Sequence, residues 1–356
     1  MKHGIRFSLD TLFFVLLVFI PLTLGAVLFH VSATVTFFLA AVAVIPLAKF
    51  IGEATEELSL HTGPGVGGFL NATFGNAPEL LIGIFAVQAG LTEVVKASIT
   101  GSIIGNLLLV LGSAMFAGGI RYKKQKFNRT AALAGNSSLF LAVIALTIPA
   151  IFLRSVNGAS DSIQTLSNVV SLLLIFVYIA HIWFSLYTHR HLYNGGSAPD
   201  VESRWSVKQS IVVLILATVA VAWISDVLVA SIEPVVSAFG WTTLFIGVIF
   251  VAIIGNIAEH TSAITMALKN KMEVALQISV GSATQIVMFV APLLVLISLL
   301  FPTHLSFVFN EFELVAIILS VFIANLVVQD GESNWLEGIQ LIIAWVIMAI
   351  AFFLHP

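Results

Sequence analysis

Two short stretches of the chain combine a carboxylate with an amide and a glycine in the same order. The first reads Gly75-Asn76-Ala77-Pro78-Glu79, and the second reads Gly255-Asn256-Ile257-Ala258-Glu259, 180 residues later. Carboxylate and amide oxygens are the hard ligands that calcium prefers, and a glutamate also carries a proton. The two motifs therefore predict a site for a divalent cation, for protons, or for both.

The first motif lies in an apolar run that its own residues are expected to interrupt. Pro78 removes one backbone donor and Gly75 weakens the local helix, so a break here would free carbonyl oxygens beside Glu79. Glu259 lies ten residues before Lys269, which corresponds to about 15 Å of helix. This is half of the roughly 30 Å hydrocarbon thickness of a bilayer. Both carboxylates are therefore expected near the middle of the membrane.

Two carboxylates at that depth predict competition between protons and a metal ion. They would repel each other and lose hydration, which raises their proton affinity when no cation is bound. Calcium takes six to eight oxygen ligands, which Glu79, Glu259, the amide oxygens of Asn76 and Asn256, freed carbonyls and water could supply. Calcium binding would expel protons and proton binding would expel calcium, which predicts exchange.

The composition places the chain in a membrane. Of its 356 residues, 59% are hydrophobic and only 9% are charged, with a mean hydropathy of +1.08, and this excludes a soluble domain. The absence of cysteine excludes a disulfide framework and a thiolate metal site, and a net charge of −3 gives no indication of nucleic acid binding. The first apolar run has no clear signal-peptide cleavage site, so it is interpreted as a membrane anchor.

Windows of about 20 apolar residues predict an all-α membrane protein with eleven transmembrane helices. The predicted spans are 9–29, 33–52, 66–90, 96–119, 130–153, 163–187, 208–230, 241–268, 273–300, 305–328 and 336–354. With the N-terminus inside, 13 of the 15 Lys and Arg residues fall on the cytoplasmic side, and only Lys96 and Arg154 fall outside. This distribution predicts a cytoplasmic N-terminus and an external C-terminus.

The offset of 180 residues extends well beyond the two motifs. It also aligns Glu53 with Glu233, Thr62 with Thr242, Glu93 with Glu273, and Gly101-Ser102 with Gly281-Ser282. We therefore expect a peripheral first helix (1–31), a first five-helix repeat (32–188), a cytoplasmic linker (189–207) and a second five-helix repeat (208–356). An odd number of spans inverts the second copy, an organisation typical of secondary transporters.

The motifs resemble the two signature repeats of the calcium/proton exchanger family, within the cation/calcium exchanger superfamily. The resemblance rests on residues 68–80 and 255–260 and extends over nearly the whole chain, with Ile257 where the family more often has alanine. It implies that Glu79 and Glu259 both bind the cation and carry protons. Eukaryotic members have a long acidic segment between the halves, of which only Asp200 and Glu202 remain here.

The resemblance also implies a cellular role. We expect a secondary active transporter in the bacterial plasma membrane that exchanges cytoplasmic calcium for protons by alternating access, without nucleic acid partners. Calcium is the transported ion, and no resident cofactor is expected. The family resemblance is also compatible with a homo-oligomer, namely a trimer.

A second group of residues is expected to support the site. Ser102 and Ser282 are repeat mates, whereas Asn106 and Gln285 are one position out of register, so each is expected to contribute on its own side. His260 either relays protons or holds a neighbouring helix. The carboxylates of Glu53, Glu56 and Glu233 would attract cations at the entrances, although solvated helix ends would also explain them.

Several alternatives remain open from the sequence. A sodium-driven calcium exchanger is the nearest. By resemblance, such exchangers typically place extra polar or acidic groups in this part of the fold, so the absence of an acid at Ile103 and Ala283 favours protons over sodium. An exchanger of another divalent cation would use the same site, and a passive channel would need no counter-ion. A membrane-embedded enzyme is not expected, because the chain lacks a His-Glu-x-x-His or Gly-x-Gly-Asp motif.

Overall fold

The computed structural model describes residues 9–155, 160–189 and 203–355, and these are almost entirely helical. The α-helices are α1 (Leu9–Leu16), α2 (Phe19–Leu28), α3 (Ala33–Phe74), α4 (Ala77–Gln88), α5 (Thr92–Ile104), α6 (Leu111–Tyr122), α7 (Arg129–Ser155), α8 (Ser160–Trp183), α9 (Val207–Ala230), α10 (Ile232–Phe239), α11 (Thr243–Phe245), α12 (Ala252–Gly255), α13 (Ile257–Leu268), α14 (Met272–Gln285), α15 (Ala291–Ser298), α16 (Glu311–Val327) and α17 (Trp335–Leu354). Four π-helical segments continue or join them: Gly105–Val110, Phe184–Thr188, Ile246–Val251 and Ile286–Val290.

These helices confirm an all-α membrane protein. Within the described residues, eight helical stretches are long and apolar enough to cross a bilayer, and the bent pair Thr243–Gly255 and Ile257–Leu268 makes a ninth. The predicted span 66–90 is divided between the end of α3 and the 12-residue α4, and the predicted span 305–328 is represented by the 17-residue α16. The chain is therefore a multi-pass membrane protein, and eleven spans stay a prediction.

Helix α3 contains a reversal of the chain. A Cβ atom added at Gly67 would lie 2.6 Å from Cα of Ser59, eight residues earlier. Eight residues of straight helix advance about 12 Å, so the chain must fold back on itself between these two positions. The long α3 therefore forms two limbs, and the second limb, which we define as residues 67–74, leads directly into the first motif.

The transmembrane stretches differ in how far the protein covers them. The stretch Thr92–Tyr122 is 72% buried and Met272–Ser298 is 67% buried, whereas Thr11–Leu28 is only 17% buried. The two well-buried stretches form the centre of the bundle, and the first helix lies at its edge against lipid. The site must therefore be sought around α5, α6, α14 and α15.

One face of the bundle carries the helix ends that flank residues 189–206, and we call it the linker face. Here β1 (Gln125–Lys126) pairs antiparallel with β2 (Glu332–Ser333), with Gln125 opposite Ser333. The side chain of Gln125 also donates to the carbonyl oxygen of Ala267 at 2.9 Å. Loops from the two halves of the chain are thus joined on this face.

The end of the predicted linker is fixed to α3 on the same face. The buried carboxylate of Glu57 accepts hydrogen bonds from the backbone N–H groups of Arg204 and Trp205 at 2.9 and 3.2 Å. Ser206 then starts α9 with a capping box that includes Gln209. Most of the predicted linker, including Asp200 and Glu202, lies outside the described residues.

The opposite face, which we call the far face, is where α4 ends and α5 begins. Thr243 donates to the carboxylate of Glu93 at 3.3 Å, and Arg154 forms an ion pair with Glu311. The far face therefore brings together α5, α7, α11 and α16.

Candidate functional site

Each motif lies at a break between two helical segments. Helix α3 ends at Phe74 and α4 starts at Ala77, with Asn76 at φ −104° and ψ 23° between them. Helices α12 and α13 meet at Asn256, φ −95° and ψ 12°, where the span bends by 58°. Pro78 cannot donate to the carbonyl of Phe74, which accounts locally for the first break. The predicted interruption of the first span is present, and the second motif breaks its helix without a proline.

The two motif glutamates occupy equivalent positions, in the first turns of α4 and α13. A Cβ atom added at Gly255 would lie 3.0 Å from both Cγ and Oε1 of Glu79. The side chain of Glu79 therefore extends across to the break in the second motif. The carboxylates of Glu79 and Glu259 are also close enough to interact electrostatically.

Buried oxygen atoms without a hydrogen-bond partner are concentrated at these breaks. Both carboxylate oxygens of Glu79 and Oε2 of Glu259 are of this kind, as are Oδ1 of Asn76 and Oδ1 of Asn106. Buried polar atoms in proteins are normally hydrogen-bonded, so five such oxygens in one region need an explanation. They form a set of hard ligands without a donor.

The amide of Asn256 is, in contrast, fully engaged. Its Nδ2 donates to Oγ of Ser102 and to the carbonyl oxygen of Ala252, both at 2.9 Å. Its Oδ1 accepts from Nδ2 of Asn106 at 2.8 Å and from Oγ of Ser282 at 3.3 Å. These bonds connect α5 and α14 to the break between α12 and α13.

Asn106 and Gln285 both cross between the two halves of the chain. Asn106 reaches Asn256, and Gln285 accepts a hydrogen bond from Nδ2 of Asn76. The sequence register predicted a contribution from each on its own side. The structure differs because each pairs with the motif asparagine of the other half.

A π-helical segment lies beside each of these crossing residues. One begins at Gly105, one residue before Asn106, and the other begins at Ile286, directly after Gln285. Such segments change the direction in which side chains leave a helix and are frequent at functional sites. In the sequence, these two positions were marked only by being one residue out of register between the repeats.

Other predicted residues lie outside this network. His260 is half-buried in the first turn of α13. Glu53 forms an ion pair with Lys49 at 3.2 Å, and Glu56 is exposed on α3. Glu233 is exposed in the first turn of α10. The three predicted entrance carboxylates are therefore not brought into the site.

One cavity lies beside the first break, and a second lies at the far face. The cavity towards the linker face has a volume of about 270 Å³, and its lining includes Asn71, Gln277, Gly281 and Gln285. Because Gln285 bonds Asn76, this cavity reaches the first motif. The far-face cavity is larger, about 1020 Å³, and its lining includes the charged side chains Glu93, Lys96, Arg154, Glu311 and Glu313.

The donor set restricts which ions the site could hold. Within the described ranges there is no cluster of three or more His, Asp or Glu side chains suited to a metal ion. A cation at the breaks would therefore be bound by two carboxylates, amide oxygens, backbone carbonyls and water. Only a hard ion that accepts a mixed and flexible oxygen shell fits this set.

A multi-pass helical bundle with broken spans and paired buried carboxylates is typical of a membrane transport protein. The family model described as sodium/calcium exchanger protein matches residues 32–187 and 209–354. The chain therefore belongs to the sodium/calcium exchanger protein family.

Curated relatives resemble this chain over nearly their whole length. The Ca(2+)/H(+) antiporter ChaA of Bacillus subtilis is 47% identical over 352 residues, which cover 97% of this chain and 100% of that protein. The Ca(2+)/H(+) antiporter of Aphanothece halophytica is 45% identical over 363 residues, covering 98% and 97%.

Solved structures show the same fold. Native YfkE superposes with a TM-score of 0.85 at 45% identity, covering 96% of this chain and 99% of that chain. The sodium-calcium exchanger NCX_Mj superposes with a TM-score of 0.56 at 17% identity, covering 90% and 98%. The second match shows only that the two proteins share a fold.

Proposed function

We propose that the protein is a secondary active transporter that exchanges cytoplasmic calcium for protons. The observation that carries this proposal is the set of unpartnered buried carboxylate oxygens of Glu79 and Glu259 at two neighbouring helix breaks. Relatives named Ca(2+)/H(+) antiporters, 45–47% identical over nearly the full chain, support the same conclusion. Transport, rather than catalysis, is the activity that these carboxylates serve.

The exchange follows from the cost of buried charge. Two adjacent ionised carboxylates without partners are unfavourable in a membrane protein, so the site is occupied either by a cation or by protons. Calcium supplies two positive charges to the two carboxylates, and protons neutralise them individually. The empty site, with both carboxylates ionised, should not readily switch between the two sides of the membrane. The inward movement of protons is therefore coupled to the outward movement of calcium.

Glu79 and Glu259 are proposed as calcium ligands and proton carriers, and Asn76 as a ligand through its unpartnered Oδ1. For Asn256, also expected from the sequence as a ligand, the four hydrogen bonds favour a positioning role. Asn106, whose Oδ1 is unpartnered, is then the amide that faces the cation in the second half of the site. Ser102, Ser282 and Gln285 hold these amides in place.

The proposed organisation follows the sequence. Two inverted five-helix repeats (32–188 and 208–356) follow a peripheral helix (1–31), and the linker (189–207) lies in the cytoplasm. The N-terminus is cytoplasmic, the C-terminus is external, and the protein resides in the plasma membrane as a homo-oligomer. With this orientation the linker face is the cytoplasmic face, and the 270 Å³ cavity opens towards cytoplasmic calcium.

The test is calcium uptake into proteoliposomes under an imposed pH gradient, with and without a sodium gradient. We expect uptake with the pH gradient alone, and its loss in both Glu79→Gln and Glu259→Gln, because each substitution removes a charge and a proton carrier. Size-exclusion profiles identical to wild type establish that the variants are folded.

Each other outcome contradicts a defined part of the proposal. Uptake that needs sodium would identify a sodium-driven exchanger, and uptake of a different divalent cation would change the cargo. Flux that needs no counter-ion would identify a channel. Full exchange by a folded Glu→Gln variant would remove that glutamate from the site.

A further inference from the structure

The far side of the site is closed by direct backbone contact. A Cβ atom added at Gly101 in α5 would lie 2.6 Å from Cα of Val248, and it would also meet the Val248 carbonyl oxygen. One turn away, a Cβ atom at Gly247 would lie 2.9 Å from the carbonyl oxygen of Val94 and would meet Cβ of Ala97. Only glycine allows α5 and the π-helical segment Ile246–Val251 to approach this closely.

The repeat register identifies the equivalent positions on the linker side. Subtracting or adding 180 pairs Gly101 with Gly281, Val248 with Gly68, Gly247 with Gly67, and Ala97 with Gln277. If the two sides were packed alike, α14 at Gly281 would touch the second limb of α3. The contacts on the far side therefore predict which residues would be in contact if the linker side were closed.

The equivalent contacts on the linker side are not made in this structure. A Cβ atom at Gly281 would meet nothing within 4 Å, and both Gly281 and Gln277 line the 270 Å³ cavity. Gly67 packs against Ser59 of its own helix instead. The backbone contact that Gly101 makes therefore has no counterpart at Gly281, which borders a cavity instead.

We infer that Gly281 is the closing contact on the linker side. In the state open to the far side, α14 at Gly281 packs against the second limb of α3 at Gly67 and Gly68, while Gly101 separates from Val248. This inference rests on the alternating access of the proposed function. The two glycine contacts exchange because an inverted repeat lets each half adopt the packing of the other.

The inference makes a prediction that local packing alone would not make. Alanine at position 281 fits this structure without a clash but blocks the close approach needed in the opposite state. Alanine at position 101 clashes in this structure and is relieved in the opposite state. Gly281→Ala should therefore favour the cavity-open state, and Gly101→Ala should disfavour it.

The cysteine-free chain allows a direct test. Ser185, which lines the cavity, is replaced by cysteine as a reporter, and its labelling rate by a maleimide is measured on purified protein in detergent. Relative to the reporter protein alone, we expect faster labelling with Gly281→Ala and slower labelling with Gly101→Ala. The matched control is Gly52→Ala, because a Cβ atom at Gly52 also meets nothing within 4 Å.

Transport supplies the second readout. Gly281→Ala should reduce ion flux in proteoliposomes by about tenfold or more, because it removes one of the two states of the cycle. Wild-type flux in Gly281→Ala, or labelling shifts of the same sign in both variants, would overturn the inference. If Gly101→Ala does not fold, slower or unchanged labelling of Gly281→Ala still overturns it.

Failure of the proposed function would be recognised separately. Labelling reports the conformation and does not depend on which ions are exchanged. Opposite labelling shifts in a protein that does not exchange calcium for protons would retain the gate and reject the cargo.

Discussion

The two signature motifs share glycine, asparagine and glutamate at equivalent positions but differ in the hydrogen bonds that their polar atoms make. Asn256 makes four hydrogen bonds with α5, α14 and its own helix, whereas the only side-chain partner described for Asn76 is Gln285. Both carboxylate oxygens of Glu79 are buried without a partner, and its side chain lies against Gly255. One motif is thus anchored by its amide, while the other presents its oxygens.

This difference shows that two repeats of similar sequence need not make the same contacts within one conformation. Both asparagines are buried, but only the break at Asn76 lies beside the 270 Å³ cavity, through Asn71 and Gln285. In an alternating cycle, the two motifs would exchange these conditions. The asymmetry of this structure is then a property of its conformational state.

The largest expected effect comes from filling the contact between the motifs. Gly255→Ala places a methyl group 3.0 Å from Oε1 of Glu79, and overpacking of this kind costs about 1–3 kcal/mol, or roughly 5- to 150-fold in calcium affinity. The measurement is calcium-dependent uptake in proteoliposomes, with Gly25→Ala, which meets no neighbour, as control. An unchanged KM would contradict this prediction, because it would mean that the added methyl group costs the calcium-free and calcium-bound states equally.

A paired substitution separates the anchoring amide from the presenting amide. Asn256→Ala leaves Asn106 and Ser102 without their partner and should lower the unfolding free energy by about 2 kcal/mol or more, whereas Asn76→Ala should cost only about 0.5–1 kcal/mol. The KM for calcium should rise more in Asn76→Ala than its stability loss explains. Thermal unfolding and uptake are measured on the same preparations. Equal stability losses would contradict the assigned asymmetry.

The smallest effect is expected at the entrances, where the repeat mates Glu53 and Glu233 also differ. Glu53→Gln removes one ion pair with Lys49, worth about 0.3–0.5 kcal/mol, and should alter apparent calcium affinity more than maximal rate, by less than roughly threefold. Glu233→Gln, at an exposed helix end, provides the comparison. Loss of all transport in Glu53→Gln would instead place Glu53 in the site.

The sequence was sufficient to predict the membrane class and the first helix break, whereas the joint role of Glu79 and Glu259 stays a prediction. These depend on local chemistry, namely apolar runs, a proline, and polar residues where the membrane disfavours them. The contact of Glu79 with Gly255 needs the relative placement of two distant helices, which periodicity cannot give. The bonds made by Asn106 and Gln285 to the other half were missed because their partners lie 150 and 209 residues away in the chain.

The reversal inside α3 lies where hydropathy predicts one, between the predicted spans 33–52 and 66–90. The prediction left residues 53–65 as a connecting segment, whereas α3 extends into them as helix before the chain turns back. Nor did a topology count reveal that Glu57 would be buried beneath Arg204 and Trp205. The role of Glu57 depends on a chain segment 147 residues away, which hydropathy cannot indicate.

The pairing of amides between the halves also has a consequence for how the protein is made. Asn76 can bond Gln285 only after Gln285 has been synthesised, and Gln285 is 209 residues further along the chain. At a synthesis rate of roughly 5–20 residues per second, this delay is about 10–40 s. During that time the first motif is in or near the bilayer with its amide and carboxylate unpaired, so the earliest part of the site to be synthesised is among the last to be completed.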